Sequence, residues 1–208
     1  MKKLLIVFLF LHSFVWGQDD NKFVINGSIP GIKDGLEVGL YNNSYVKVVD
    51  ITAVTKDGKF VLEGHLDHPE LCMLLVDMSP ENKDIYQKEW RGSWIFLDQS
   101  VMNYSCESVD SFPLIHQDDR NVKVTGSPTH DLYQQYMTLL IPLQEKYRDL
   151  DDRYMEEYHR PTLKEVFNTR KGVNIVREME LVREQMQEKR WEFLRTHGNS
   201  VVGIQVAM

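Results

Sequence analysis

Apolar and polar residues alternate along the first half of the chain, which is the pattern of strands with one buried face. In residues 36–40, for example, the alternate positions are all apolar. Asp57 followed by Gly58 is a strong hairpin signal, because glycine accepts a positive φ. Residues 98–100 predict a second hairpin turn. About eight such strands predict an antiparallel β-sandwich or partly open barrel over residues 18–126.

After Gly126 the spacing of apolar residues changes from that of strands to that of helices. Ser127 followed by Pro128 is typical of a helix start, because serine caps an amide and proline suits the first helical position. Apolar and tyrosine residues then recur at steps of three and four: Tyr133, Tyr136, Leu140, Leu143, Tyr147, Leu150 and Tyr154. We expect residues 159–161 to interrupt this helix, and Thr162 with Glu165 to form the capping box of a second one. Residues 127–198 are therefore predicted to be a helical hairpin connector, and the fold class is α+β.

The apolar stripes of the hairpin have two possible partners. They can pack within the chain, which the many tyrosines favour, or they can form a coiled-coil homodimer. Residues 201–208 are largely apolar and carry no charge, so we expect residues 199–208 to be a truncated apolar tail, the beginning of a segment that continues.

The first residues have the pattern of an export signal. A positive start at Lys2 and Lys3 precedes an apolar run that is too short to span a membrane. We predict a signal peptide over residues 1–17, and hence a location in the periplasm or cell envelope of a Gram-negative bacterium, with no membrane-spanning segment after cleavage.

The composition of the chain limits the classes of partner that it can bind. The 208 residues have a formal net charge of −7, which argues against nucleic-acid binding because that needs clustered positive charge. Phosphate-binding, dinucleotide-binding and zinc-protease motifs do not occur, so we expect no cofactor, no metal and no catalytic site.

Two pairs of residues are candidate sites. Cys72 and Cys106 could form a disulfide in an oxidising compartment, or they could be two inert buried thiols. Trp90 and Trp94 could form an aromatic platform for a sugar or peptide, or they could simply be core and surface residues.

The order of several short motifs resembles a known family. These motifs are residues 23–27, Asp57 to Phe60, Gly64, Pro69, residues 96–98, residues 125–127 and the tyrosine-rich helical pair. Together they resemble the N-terminal domain of unknown function of exported thioredoxin-family thiol:disulfide oxidoreductases of the TlpA/ResA (AhpC/TSA) type in Bacteroidetes. The resemblance covers residues 23–200.

The resemblance implies a module attached to thiol–disulfide chemistry, with a protein partner or a covalently following thioredoxin-like domain. The Trp-Cys-x-x-Cys segment of that domain is missing here, so no catalytic residue is transferred to this chain. We therefore expect a non-catalytic accessory or interaction module, either a fragment of a longer protein or a shortened relative. The alternatives are a small periplasmic binding protein for a glycan or peptide, and a self-associating structural protein.

Overall fold

The computed structural model describes residues 21–41, 47–82, 84, 87–115 and 119–208, so the predicted signal peptide lies outside the described residues. The strands are β1 (Lys22–Ser28), β2 (Glu37–Tyr41), β3 (Lys47–Val54), β4 (Lys59–His65), β5 (Glu70–Asp77), β6 (Trp90–Leu97), β7 (Val101–Cys106) and β8 (Val122–Thr125). The helices are α1 (Pro128–Tyr154), α2 (Arg160–Thr162), α3 (Thr169–His197) and α4 (Val201–Ala207), with a π-helical turn at Met155–His159 and a 3-10 turn at Val109–Ser111. The predicted α+β class is confirmed.

The eight strands form two four-stranded sheets that pack face to face. One sheet has the order β4-β1-β7-β8 and the other the order β3-β2-β5-β6. All described pairings are antiparallel except β1 with β7. Because a strand presents alternate residues to one face, β1 buries Phe23 and Ile25 while β4 buries Phe60 and Leu62 in the layer between the sheets.

Both predicted hairpin turns lead from one sheet to the other. Asp57 and Gly58 do form a tight turn with positive φ values of 50° and 74°, but the strands on either side, β3 and β4, belong to different sheets. The turn at residues 98–100 likewise joins β6 to β7, which do not pair. The hairpin predictions were therefore wrong about pairing, since a local turn signal does not specify which sheet the returning strand joins.

Helix α1 begins as predicted, with the Ser127 hydroxyl accepting a hydrogen bond from the amide of His130 (2.9 Å). The predicted interruption at residues 159–161 was wrong, because the chain stays helical through the π-turn and α2 to Thr162. The capping box was also wrong: the Thr162 hydroxyl donates to the carbonyl of Tyr158 (2.7 Å), and Glu165 has a φ of 61°. Asn168 instead caps α3, accepting from the amide of Lys171 (3.2 Å).

Helices α1 and α3 pack against each other as a hairpin within the chain. Their shared core contains Leu150, Ile175, Met179 and Val182. The packing is close near the start of α3, where a side chain at Gly172 would come within 2.7 Å of the Tyr158 ring. No helix in the described part of the chain is both long and apolar enough to cross a bilayer.

Residues 199–208 do not form an extended tail. Ser200 caps the short helix α4, which buries Val202 and Val206 against Phe96 of β6 and Phe193 of α3. The apolar composition of this segment is therefore explained in part by packing onto the outer face of a sheet.

Candidate functional site

A groove lies between β6 and helix α1. It consists of two adjoining cavities with volumes of about 370 and 190 Å³. Both cavities are lined by Ser93, Trp94, Asp119, Met137 and Ile141. The groove is a concave surface bounded by both the sandwich and the hairpin, and we call it the β6–α1 groove.

The alternation of β6 provides one wall of the groove. Ser93 and Ile95 face the layer between the sheets, where the Ser93 hydroxyl lies 3.0 Å from the Tyr104 hydroxyl. Trp94 and Phe96 face the opposite way, toward α1. At Gly92 the strands approach closely, because an added Cβ would lie 1.9 Å from the carbonyl oxygen of Leu74.

A buried carboxylate fixes the start of α1 against the end of β6. Asp98 is 7% exposed, and its Oδ2 accepts from the Ser127 hydroxyl (2.8 Å) and from the amide of Thr129 (3.2 Å). A negative charge at a helix N-terminus is favourable, because the first amides have no partner within the helix. This contact therefore sets where the opposite wall of the groove begins.

His130, on the first turn of α1, lines the smaller cavity. It is 2% exposed, and its Nδ1 accepts the amide hydrogen of Phe96 (3.1 Å). Burial lowers the pKa of His130 from 6.5 to about 4, an effect that nearby Asp98 opposes without cancelling. The ring is therefore neutral at neutral pH, and its proton must be on Nε2, since Nδ1 is an acceptor.

The Nε2 atom of His130 is buried and has no hydrogen-bond partner among the described residues. A neutral imidazole with this pKa is a weak base at neutral pH, so the arrangement suits recognition of a ligand acceptor better than proton transfer. At the wider end of the groove, Glu145 of α1 pairs with Arg120 (2.8 Å). Within the part of the chain that the structure describes, no cluster of three or more His, Cys, Asp or Glu is placed to hold a metal ion.

Cys72 and Cys106 are free, buried thiols in opposite sheets, in β5 and β7. Burial raises the pKa of Cys72 to about 12, and the Cys106 sulfur lies 3.3 Å from the Ser111 hydroxyl. Both belong to the core between the sheets. The structure contains no bridge between them, and their pairing under oxidising conditions stays a prediction.

Trp90 and Trp94 occupy the same face of β6 but contact different neighbours. Trp90 packs edge-on against Tyr41, with ring centroids 5.8 Å apart, and lies under the Lys88 ammonium. Trp94 lines both cavities of the β6–α1 groove. The two rings therefore do not line the groove together, and a role for Trp90 in binding stays a prediction.

No motif or residue spacing pointed to His130 or Asp98 as site residues. His130 lies three residues before Tyr133, so extending the apolar stripe of α1 back by one turn would have placed it on the buried side. Asp98 follows directly after an apolar run and has the composition of an ordinary turn residue, so no sequence signal distinguished it.

The fold and groove define a β-sandwich domain whose first helix forms part of the same structural unit. Residues 23–133 match a domain of unknown function, DUF4369. This match covers more than half of the chain, which therefore belongs to that family. Searches of curated proteins and of solved structures found no match.

Proposed function

We propose that this chain is a non-catalytic accessory module of an exported thioredoxin-like thiol:disulfide oxidoreductase of the TlpA/ResA type. In this proposal the chain contacts a thioredoxin-like domain in the periplasm or cell envelope. That domain is either a separate protein or follows covalently in the same polypeptide. Support for the family comes from the DUF4369 match and from the order of motifs that resembles the N-terminal domains of such enzymes. The leader-like residues 1–17 support export.

The observation that carries the proposal is an apolar cluster at the tip of the helical hairpin. Leu163, Val166 and Phe167 are 73%, 60% and 70% exposed in the turn that precedes α3. Three large apolar side chains this close together and this exposed are typical of a surface that another protein covers. We call these three residues the tip cluster.

The state of the thiols supports placing the redox chemistry outside this chain. Thiol–disulfide exchange requires a thiolate that can reach its substrate. Cys72 and Cys106 are 1% and 5% exposed, and burial holds the pKa of Cys72 far above neutral pH. Neither thiol is therefore suited to attack a protein disulfide while the chain is folded.

The first experiment is an insulin reduction assay on the purified protein. We expect no acceleration over dithiothreitol alone, and robust reduction would contradict the proposal. The second measures binding of a ResA-type thioredoxin-like domain from the same organism by calorimetry. Val166→Ser should weaken binding about tenfold, whereas Val54→Ser should leave it unchanged. These valines are a matched pair, since Val54 on β3 is 61% exposed and Val166 is 60% exposed.

Equal affinity of both variants, or no binding at all, would contradict a role for the tip cluster. Light scattering on the same proteins distinguishes a second copy of this chain from a different partner. A homodimer that Val166→Ser dissociates would favour self-association through the hairpin.

Ligand binding is the second candidate function, that of a small periplasmic binding protein for a glycan or peptide. It is favoured by the β6–α1 groove, which combines an aromatic wall at Trp94 with a His130 donor that has no partner among the described residues. A melting-temperature screen against glycans and peptides tests it, with Trp94→Ala and Trp90→Ala separating the groove from the other tryptophan. A shift that neither substitution removes would contradict a site at these tryptophans.

A further inference from the structure

One edge of β6 is only partly covered. β6 is the last strand of its sheet, and every second residue directs its main-chain groups away from β5. The amide of Gly92 donates to the carbonyl of Pro113 (2.9 Å), and the carbonyl of Trp90 accepts from the amide of Ile115 (3.1 Å). Further along, His130 accepts the amide of Phe96.

Trp94 lies between Gly92 and Phe96, two residues from each. Because alternate residues of an edge strand direct their main-chain groups to the same side, the N–H and C=O of Trp94 also point away from β5. None of the hydrogen bonds that the described residues form outside the strand ladders involves the main chain of Trp94. The β6–α1 groove reaches the strand at this position, since Gly92, Ser93 and Trp94 line its larger cavity. An open main-chain edge is a template on which an extended chain can add a strand.

The Nε2–H group of His130 is an independent second observation. His130 lines the smaller cavity, and its buried donor lacks an acceptor among the described residues. Leaving a buried donor unpaired is unfavourable, so a ligand that provides an acceptor there would be stabilised. The open edge and the unpaired donor lie along the same groove.

We propose that the β6–α1 groove binds an extended peptide segment of a partner protein. The peptide adds a strand at Trp94, exchanging main-chain hydrogen bonds with it, and one of its carbonyls accepts from His130 Nε2. Trp94, Met137 and Ile141 provide an apolar surface for its side chains. This inference rests on ligand binding, the second candidate function, and names the class of ligand.

The dimensions of the groove fit such a ligand. Helix α1 borders it from His130 to Arg148, a distance of about 27 Å, which corresponds to about eight residues of extended chain. A glycan would stack on Trp94 but would not satisfy a main-chain N–H and C=O at strand spacing. The main-chain edge therefore favours a peptide.

Two substitutions at His130 separate the roles of its two nitrogens. The side-chain oxygen of asparagine occupies the position of Nδ1, so His130→Asn keeps an acceptor for the amide of Phe96 and removes the Nε2 donor. The side-chain nitrogen of glutamine occupies the position of Nε2, so His130→Gln keeps the donor and loses the acceptor. Peptide binding should therefore be weakened by His130→Asn, which lacks the donor. The free energy of unfolding should be lowered by His130→Gln, which lacks the acceptor.

The experiment selects octapeptides from a random displayed library on the immobilised protein and measures their dissociation constants by fluorescence anisotropy. Selected peptides should bind His130→Asn about tenfold more weakly than the wild type and His130→Gln within about threefold. Hydrogen exchange at the amide of Trp94 should slow about tenfold or more when a peptide is bound.

Several results would overturn the proposal. These are a library in which no octapeptide is enriched, peptides that bind His130→Asn as tightly as the wild type, and an amide of Trp94 that gains no protection. If glycans raise the melting temperature while no octapeptide binds, ligand binding stands and the peptide inference fails. Should circular dichroism show His130→Asn to be unfolded, protection of the Trp94 amide in the wild type decides the question.

Discussion

The neutral state of His130 makes the stability of this protein depend on pH. In the folded chain burial lowers the pKa of His130 to about 4, whereas an unfolded histidine has a pKa of about 6.5. As the pH falls between these values, the unfolded chain takes up a proton that the folded chain refuses. The contribution of His130 is therefore complete above pH 6.5 and is lost progressively down to about pH 4.

The size of the effect follows from the two pKa values. Between pH 7 and pH 4, the proton taken up by the unfolded state lowers the free energy of unfolding by about 3 kcal/mol. A typical domain is stable by about 5 to 15 kcal/mol, so the loss from this single group is a large share of the total stability.

The assay is urea unfolding at pH 7, 6, 5 and 4, followed by circular dichroism, for the wild type and His130→Asn. The variant keeps an acceptor for Phe96, and its residue 130 has no group that titrates. The other histidines and the carboxylates are present in both proteins, so the difference in their free energies of unfolding isolates His130. That difference should shrink by about 3 kcal/mol from pH 7 to pH 4. A difference that stays constant across the range would refute a buried, neutral His130.

Three further predictions concern packing and thiol access. Ser127→Ala should lower the free energy of unfolding by about 2 to 4 kcal/mol, because it removes both a helix cap and a donor to a buried carboxylate. Ser200→Ala removes a cap without such a carboxylate and should cost about 1 kcal/mol in the same urea titration, so equal losses would contradict the argument. Gly92→Ala should cost about 3 kcal/mol, because the new methyl group meets a carbonyl of the neighbouring strand, whereas Gly35→Ala, which has open space but a φ of 83°, should cost about 1 kcal/mol. Cys72 should react with Ellman's reagent at pH 8 only after denaturant is added, and fast labelling of this thiol in the native protein would contradict its burial.

Which face of a strand or helix is buried could be predicted from the sequence, because it depends on the local spacing of apolar residues. The alternation in β1 places Phe23 and Ile25 in the core, and the steps of three and four in α1 bury Tyr136 and Leu140. A residue that is apolar at the right interval loses water contact whichever element it packs against. The buried face of these regular elements is therefore recoverable from the pattern of apolar residues.

Strand pairing could not be predicted in the same way. The Asp57 turn has the geometry that its sequence predicts, with paired hydrogen bonds between Lys56 and Lys59, yet β4 leaves it for the other sheet. The choice of sheet is made by β1, which pairs with β4 along its whole length. That pairing depends on contacts far apart in the sequence, which no turn dipeptide encodes.

The groove was beyond prediction for a related reason. The peptide proposal depends on two groups of the groove. One is a histidine whose two nitrogens have different environments, and the other is a tryptophan whose main-chain N–H and C=O make no hydrogen bond among the described residues. Neither property belongs to a residue type. Both arise only where the edge of β6 meets the first turn of α1.

The extent of the family match has a physical explanation in this junction. The match ends at residue 133, eight residues beyond the end of β8 at Thr125. These residues include Ser127, which binds the buried carboxylate of Asp98, and His130, which covers the edge of β6. Without these residues Asp98 would lose both partners of its Oδ2, keeping only the Ser100 hydroxyl at Oδ1, and more of the β6 edge would be open, which is unfavourable. The first turn of α1 is therefore part of the β domain in energetic terms, and it carries one wall of the groove with it.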